Sequence, residues 1–457
     1  MNQEPSPRRG RNRFALPSPL RRGAVALALA AVLYPGGAFA DEAREAALEA
    51  RIAELERLVS QLVSQQAETT SAQQAIQAEV AEVKAKPAGQ SKPIIASGSD
   101  FSYGGFIKFD AMVTDTSDGQ IADGSAGRMF YVPSTIPVAA DGAEPDVDPY
   151  TDFGAQFSRF WFAATHTTEA GDSFRGFIEA DLFGGGSGNL GNEVSTNTHA
   201  VTIRHAFVSW NNWLAGQTWS NFQDTAALVD SVDFVGVTDG TTFVRQAQVR
   251  YTNGPWSFSL ENPKTTVTNY LGAGRHNAND GVLPDLTARW THKGDWGHFS
   301  VAGLLRQLHD GDESASGGAV SVSGKFNLGS SDDIRYMVNY GKGFGRYFAF
   351  GQGTDAITDI DGDIEALTAY SGFVGWRHVF SPKLRGNLAY SAAFYDNDAD
   401  LTGWSVTERS HSLRANLIYS PFPRLDVGAE ISYGERALED SREGDMRRLA
   451  FTAKYSF

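Results

Sequence analysis

The chain has 457 residues, 41% of them apolar and 12% aromatic, with 48 glycines, no cysteine and a net charge of −15. Without cysteine it has neither a disulfide framework nor a thiolate metal site. An acidic balance excludes a general nucleic-acid binder, which needs a basic surface to neutralise phosphates.

Residues 1–40 read as an export signal. Arg8, Arg9, Arg11, Arg13, Arg21 and Arg22 precede the apolar run Ala24 to Leu33, and "AFA" ending at Ala40 offers small residues for cleavage. That run is too short to span a bilayer, and no other stretch approaches the ~20 apolar residues a spanning helix needs. Any residence in a membrane must therefore use strands.

Residues 41–86 contain no glycine and one texture, rich in Ala, Glu, Gln and Leu. Leu48, Leu55, Leu62, Thr69, Ile76 and Val83 occupy one heptad position, and Ile52, Val59, Gln66, Gln73 and Val80 its partner. This seam predicts an α-helical coiled coil for oligomerisation. Its Ile/Leu layers suit two strands, whereas the wider face made by Leu58 and Val63 and the polar layers Gln66, Thr69 and Gln73 suit three. A lone amphipathic helix lying on a barrel or on peptidoglycan is the plainer alternative. Residues 87–100, with Pro87 and Pro93, form a linker.

From Phe101 to Phe457 the apolar period is two. Phe101, Tyr103, Ile107, Phe109 and Val113 oppose Ser102, Lys108 and Asp110. Trp256, Phe258 and Leu260 oppose Ser257, Ser259 and Glu261. Leu449, Phe451, Ala453, Tyr455 and Phe457 oppose Thr452, Lys454 and Ser456. Such rows predict strands with one apolar and one wet face. Seven short connections (such as "NN" at 211–212 and "NG" at 253–254) and eight long ones (115–156, 184–199, 220–240, 266–282 and 343–366 among them) would join sixteen strands. An even count with short turns on one rim and long loops on the other predicts an all-β transmembrane barrel over 101–457, sixteen antiparallel strands. Tyr251, Trp256, Trp290, Tyr340, Trp376, Tyr390, Trp404, Tyr419 and Tyr433 fall near strand ends, where amphipathic rings meet headgroups. A soluble β-sandwich also alternates, but it packs its apolar faces against each other.

The heptads from Leu48 to Val83 together with "SDFSYGGFIKFDAMV", "SRFWFAATHTT", "RHAFVSWNNWLAGQTWSNF", "RQAQVRYTNGPWSFSLENP" and the terminal "KYSF" resemble the DcaP-like trimeric porins of Gram-negative outer membranes. The resemblance implies a trimer with its coiled coil in the periplasm and its barrel among outer-membrane lipid and lipopolysaccharide. It further implies a channel, not an enzyme, for passive diffusion of small hydrophilic anions and dicarboxylates, with no cofactor. It implies as well that Phe457 would be the terminal ring through which the barrel-assembly machinery recognises outer-membrane barrels.

If the apolar row faces lipid, the opposite row lines a lumen. Parity assigns to it Lys108, Arg159, Arg175, Arg204, Arg250, Arg289, Arg306, Lys325, Arg335, Arg377, Arg385, Arg414, Arg448 and Lys454. The acids so assigned are Asp110, Glu179, Asp181, Glu261, Glu408, Asp426 and Glu430. Fourteen cations against seven anions would favour anionic solutes, since guanidinium matches carboxylate in a fork. The competing reading is a set of ion pairs that only brace the wall. The loop from Ser220 to Gly240 is a candidate constriction, placing Asp224, Asp230 and Asp233 near the narrowest point; the alternative is an outward loop. Asp359, Asp361, Asp363 and Glu365 could collect calcium, but the glycine is misplaced for an EF-hand and a solvated acidic loop is the simpler account. "GGGSGNLG" (184–191) has dinucleotide-like glycine spacing without a following helix, and no HExxH or GxSxG motif occurs. Two further functions stay open: a barrel that merely tethers the envelope to the cell wall, and a barrel hydrolase.

Overall fold

The computed structural model describes residues 99–143, 147–184 and 199–457. The export signal, the coiled coil and nearly all of the linker lie outside them, as does most of the 184–191 glycine run. The strands are β1 (Ser99–Thr116), β2 (Tyr150–Gly154), β3 (Arg159–Thr167), β4 (Ser173–Gly184), β5 (Ala200–Trp210), β6 (Trp213–Trp219) and β7 (Arg245–Asn253). They continue with β8 (Trp256–Glu261), β9 (Thr265–Thr268), β10 (Arg275–Ala278), β11 (Asp285–Gly294), β12 (Gly297–Asp310), β13 (Glu313–Leu328) and β14 (Asp332–Lys342). The last are β15 (Ala356–Thr358), β16 (Ile364–Ala366), β17 (Thr368–Ser381), β18 (Leu384–Asp396), β19 (Thr407–Tyr419), β20 (Leu425–Leu438) and β21 (Glu443–Ser456).

Each large-sheet strand pairs antiparallel with the next, and β21 returns to β1 from Phe106↔Ser456 to Thr116↔Met446. Every backbone edge is thereby paired, which an apolar solvent demands. β2 and β3 are two halves of one barrel strand, both laddered on β1, so the sheet closes as the expected sixteen-stranded barrel. Closure is tight at Gly105, which exchanges backbone hydrogen bonds with Phe457. A Cβ there would stand 2.2 Å from the Arg159 carbonyl oxygen and 3.0 Å from the Phe457 ring.

The apolar rows point away from the barrel's interior. Phe101, Tyr103, Ile107 and Phe109 are exposed, while Asp110, Met112 and Thr114 on the same strand are buried. That inversion of the soluble pattern recurs around the wall, for example at Phe258, Leu305, Val338, Leu413 and Ile431. It rules out a sandwich, whose apolar faces would be covered. Trp256, Tyr340, Trp376, Tyr390 and Tyr419 are exposed on the same face.

Two features depart from expectation. The seven short connections are present on one rim, but the other rim is not uniformly long: residues 311–312 join β12 to β13 and residues 439–442 join β20 to β21. The long connections also carry structure of their own. Those at 262–284 and 343–367 contribute a second sheet in the order β10–β9–β15–β16, with β9 and β15 parallel. Within it Asp359 accepts hydrogen bonds from the backbone N–H groups of Asp361 and Asp363. Its carboxylate thus ties its own turn, and among the described residues no cluster of acids has metal-holding geometry.

Candidate functional site

The connection from β6 to β7 turns into the barrel. Asp224 caps a short 3-10 turn at Thr225–Ala227 by accepting from the Ala226 N–H, and it also accepts from Ser323 Oγ and pairs with His298 at 2.8 Å. Burial by itself would raise this carboxyl, but hydrogen bonds from His298 and Ser323 and the nearby Arg289 hold it below its ordinary value. Asp230 meets Arg385 at 2.6 Å and Arg377 at 3.7 Å. Asp233 accepts from the N–H groups of Tyr131, Val235 and Gly236, so it shapes the loop rather than facing water. Beyond it, Asp239 accepts from the hydroxyls of Tyr131, Ser410 and Ser412. At Gly240 the loop touches the opposite wall, where a Cβ would sit 2.2 Å from the backbone of Gly372. The connection thus lies against inward-facing residues of the wall.

Two other connections join it. Phe130 and Tyr131, from the connection after β1, enter the interior, and Phe130 packs edge-on against Phe157, Phe183, Phe234 and Phe350. The stretch Phe344–Phe350 bonds to the first loop through Phe243 N–H to Tyr347 O and Ala349 N–H to Thr241 O. It is also buried against Leu304, Ala319, Ala369 and Ala393 on the wall. An apolar core thus lies inside the barrel along β12–β18, a feature that polar-inward alternation does not suggest. The small inward residues are its signature: Ala302, Ala319, Ala369 and Ala393 with Leu304, where charged residues would leave the loop no room.

The assigned cations divide into two groups. Around β14 to β21 all but Arg448 are paired. Arg335 and Arg377 meet Asp333 at 2.7 and 3.3 Å, Arg385 and Lys454 meet Asp426 at 3.2 and 3.4 Å, and Arg414 meets Glu430 at 2.9 Å. Lys108 pairs with Asp110 and donates to the Val232 carbonyl. Glu430 also accepts from Ser231 Oγ at 2.7 Å, from the Val232 N–H at 3.0 Å and from Asn416 Nδ2 at 2.9 Å.

Around β4 to β13 positive charge is left over. Arg175, Arg250, Arg289 and Lys325 have no ion pair among the described residues. Arg175 is exposed beside Phe177, while Arg250 and Arg289 donate only to Gln248 and to the carbonyls of Trp219 and Gln223. Arg204 bonds Glu179 at 2.9 Å and Asp181 at 2.7 Å, and Arg159 approaches the same acids at 3.5 and 3.9 Å. Arg245 stands nearby over Trp219, making three guanidiniums for two carboxylates. Glu261 accepts from the Asn221 N–H and from Ser259.

Several assignments need correction. Arg306, Arg414 and Arg448 do not face open water. Arg306 is sealed between Asp285 (3.3 Å) and Asp355 (2.8 Å), Arg414 lies beneath the inward loop, and Arg448 bonds Thr114 and the Gly127 carbonyl. Glu408 is not in the inward row either. A register shift between Thr407 and Arg409 buries Thr407 and leaves Glu408 on the rim, paired with its neighbour Arg409 at 3.1 Å. A second bulge, opposite Glu179 and Ala180, turns both Arg204 and His205 inward. Parity overlooked Asp285 and Asp333, although each shares the row of an assigned arginine (Arg289 and Arg335). It could not have found Arg245, which starts β7 one residue out of step with the inward Gln246, Gln248 and Arg250, or Asp355, which lies in a loop.

The sequence model of the DcaP outer membrane protein family matches residues 36–457. No curated protein matches the chain. Among solved structures, the outer membrane channel DcaP of Acinetobacter baumannii is 26% identical over 79% of this chain and 98% of that one, with a TM-score of 0.66. The anion-selective porin from Comamonas acidovorans is more remote, at 11% identity over 79% of this chain and 100% of that one and a TM-score of 0.48.

Proposed function

The chain belongs to the DcaP outer membrane protein family and is an outer-membrane porin; from that premise we propose that its lumen passes small hydrophilic anions, dicarboxylates foremost. One observation carries the reading: carboxylates meet Arg335, Arg377, Arg385, Arg414 and Lys454 on the wall from β14 to β21, where only Arg436 and Arg448 among the described residues rest on neutral oxygens, whereas Arg175, Arg250, Arg289, Lys325 and Arg245 leave net positive charge from β4 to β13. A permeating anion meets a low barrier along that side, and two guanidiniums in one field suit two carboxylates. The lumen acids Asp110, Glu179, Asp181, Glu261, Asp426 and Glu430 are engaged by Lys, Arg or backbone donors, an arrangement for bracing rather than proton transfer, so no catalytic role is assigned.

Residues 41–86 fit an oligomerisation segment on the periplasmic side, with a trimer as the assembly and peptidoglycan as a further contact. Lipid, lipopolysaccharide and the barrel-assembly machinery, the last through Phe457, complete the partners. The test is the reversal potential of the full-length protein in a planar bilayer under a salt gradient, repeated with succinate on one side. Anion preference and a succinate current are expected. Cation preference overturns the selectivity, and a silent membrane with inserted protein overturns the open passage.

A further inference from the structure

Above the barrel, where the second sheet meets the connection at 397–406, lies a cavity of about 220 Å³. That is room for about seven waters, less than a drug-sized solute needs. Three connections and the ends of β18, β19 and β20 build it, and its wall includes Thr268, Thr354, Tyr395 and Thr407. Three side chains give it a chemical character.

Arg275 and Arg436 both line the cavity, and neither has an ion pair among the described residues. Arg275 donates to the carbonyls of Gly351, Gln352 and Gly353. Arg436 donates through Nε to Thr407 and through Nη1 to the carbonyls of Ser134 and Ile136, leaving Nη2 without a partner among the described residues. Carbonyl oxygens fix both guanidiniums in place without cancelling their charge.

Gln352 is the third. The residue is 4% exposed; one amide atom meets Tyr395 and Ser410, and the other is buried with no partner among the described residues. Whichever way the amide is turned, one of its terminal atoms waits for a group the protein does not supply. A hydroxyl, which both donates and accepts, satisfies it in either orientation.

We propose that this cavity is a recruitment site on the long-loop face for a small oxyanion that carries hydroxyl groups, its charged end held by Arg275 and Arg436 and a hydroxyl held by Gln352. The site is separate from the charged lumen wall. It rests on the proposed anion passage for its use, though not for its binding. Gln352 links it to the inward loop, because its partner Ser410 also bonds Asp239. The competing account is that the two arginines only staple loops together around water.

Titration calorimetry of the detergent-solubilised full-length protein with gluconate separates the two. Gluconate should bind saturably, while glucose, which lacks the charge, and acetate, which lacks the hydroxyls, should bind at least about tenfold more weakly. Arg275→Gln and Arg436→Gln should each weaken gluconate about ten- to hundredfold, the range for a hydrogen bond to a charged group. Gln352→Met, which keeps both arginines, should weaken gluconate but leave acetate unchanged, and serves if the arginine variants fail to fold. The inference is overturned if gluconate does not bind the wild type, or if folded variants bind it as well as the wild type does. Anion-selective reversal potentials alongside absent gluconate binding would sink this site and leave the channel reading intact; loss of anion selectivity alongside gluconate binding would do the reverse.

Discussion

Replacing Glu430 by alanine should loosen the inward loop without opening the barrel. Glu430 accepts four hydrogen bonds, two from the loop (Ser231 and Val232) and two from the wall (Arg414 and Asn416). Each bond to a charged acceptor contributes about 1.5–3 kcal/mol, so the loop loses roughly 3–6 kcal/mol of local hold. Arg414, almost fully buried, is left without its carboxylate, a loss of about 3–5 kcal/mol by itself. These terms overlap and do not add. Taking 3 kcal/mol as the lower figure, the equilibrium for local detachment of residues 231–232 shifts by about a hundredfold. The loop stays anchored by Asp230 to Arg385 and by the Gly240 N–H to Ser391, so the β18–β21 ladders are untouched. Single-channel recordings should show excess open-channel noise with brief higher-conductance events, and the detergent-solubilised protein should melt at lower temperature. Traces as quiet as the wild type, at unchanged melting temperature, would refute the idea that this carboxylate holds the loop.

Three further expectations follow from the same geometry. Arg175→Glu with Lys325→Glu should lower the anion-to-cation permeability ratio several-fold at unchanged yield of inserted protein, because neither side chain has an ion pair to lose; reversal potentials read it. Gly105→Val should impair closure of the barrel, since its Cβ would meet the Arg159 carbonyl; the yield of heat-modifiable folded protein on gels reads it. The Asp224 carboxyl is held below its ordinary value in the fold. Its contribution is therefore complete above the usual aspartate range and disappears only as pH falls through the lowered folded value. Amide protection at residues 224–228, relative to the intrinsic exchange rate at each pH, should drop at strongly acid pH and stay flat from neutrality down to mildly acid pH, whereas Asp224→Asn should show the lowered protection at every pH.

How far the sequence reached differs from element to element. The outward row of β1 was legible because a two-residue period leaves a side chain only two faces, and an apolar row must meet an apolar neighbour. The inward assignment of Arg175, Lys325 and Arg335 came from the same rule. The rule fails at Glu408, where a bulge adds a residue and flips the row. It says nothing of partners either: Asp230 and Arg385 lie 155 residues apart and meet because a loop crosses the lumen. Nor could it separate Arg175, exposed near a mouth, from Arg306, sealed between two aspartates; both read as inward cations.

The sequence alone thus determined that strands alternate from Phe101 onward, which face each presents and that the chain closes on itself, because these follow from local periodicity and from the need to pair every backbone edge in lipid. Only the tertiary structure decided which cations are neutralised, that three connections pack an apolar core inside the barrel, and that a cavity with two carboxylate-free arginines sits above it. Those outcomes depend on which distant residues the loops bring within a few ångströms, where charge and hydrogen bonding act, and no local period encodes that.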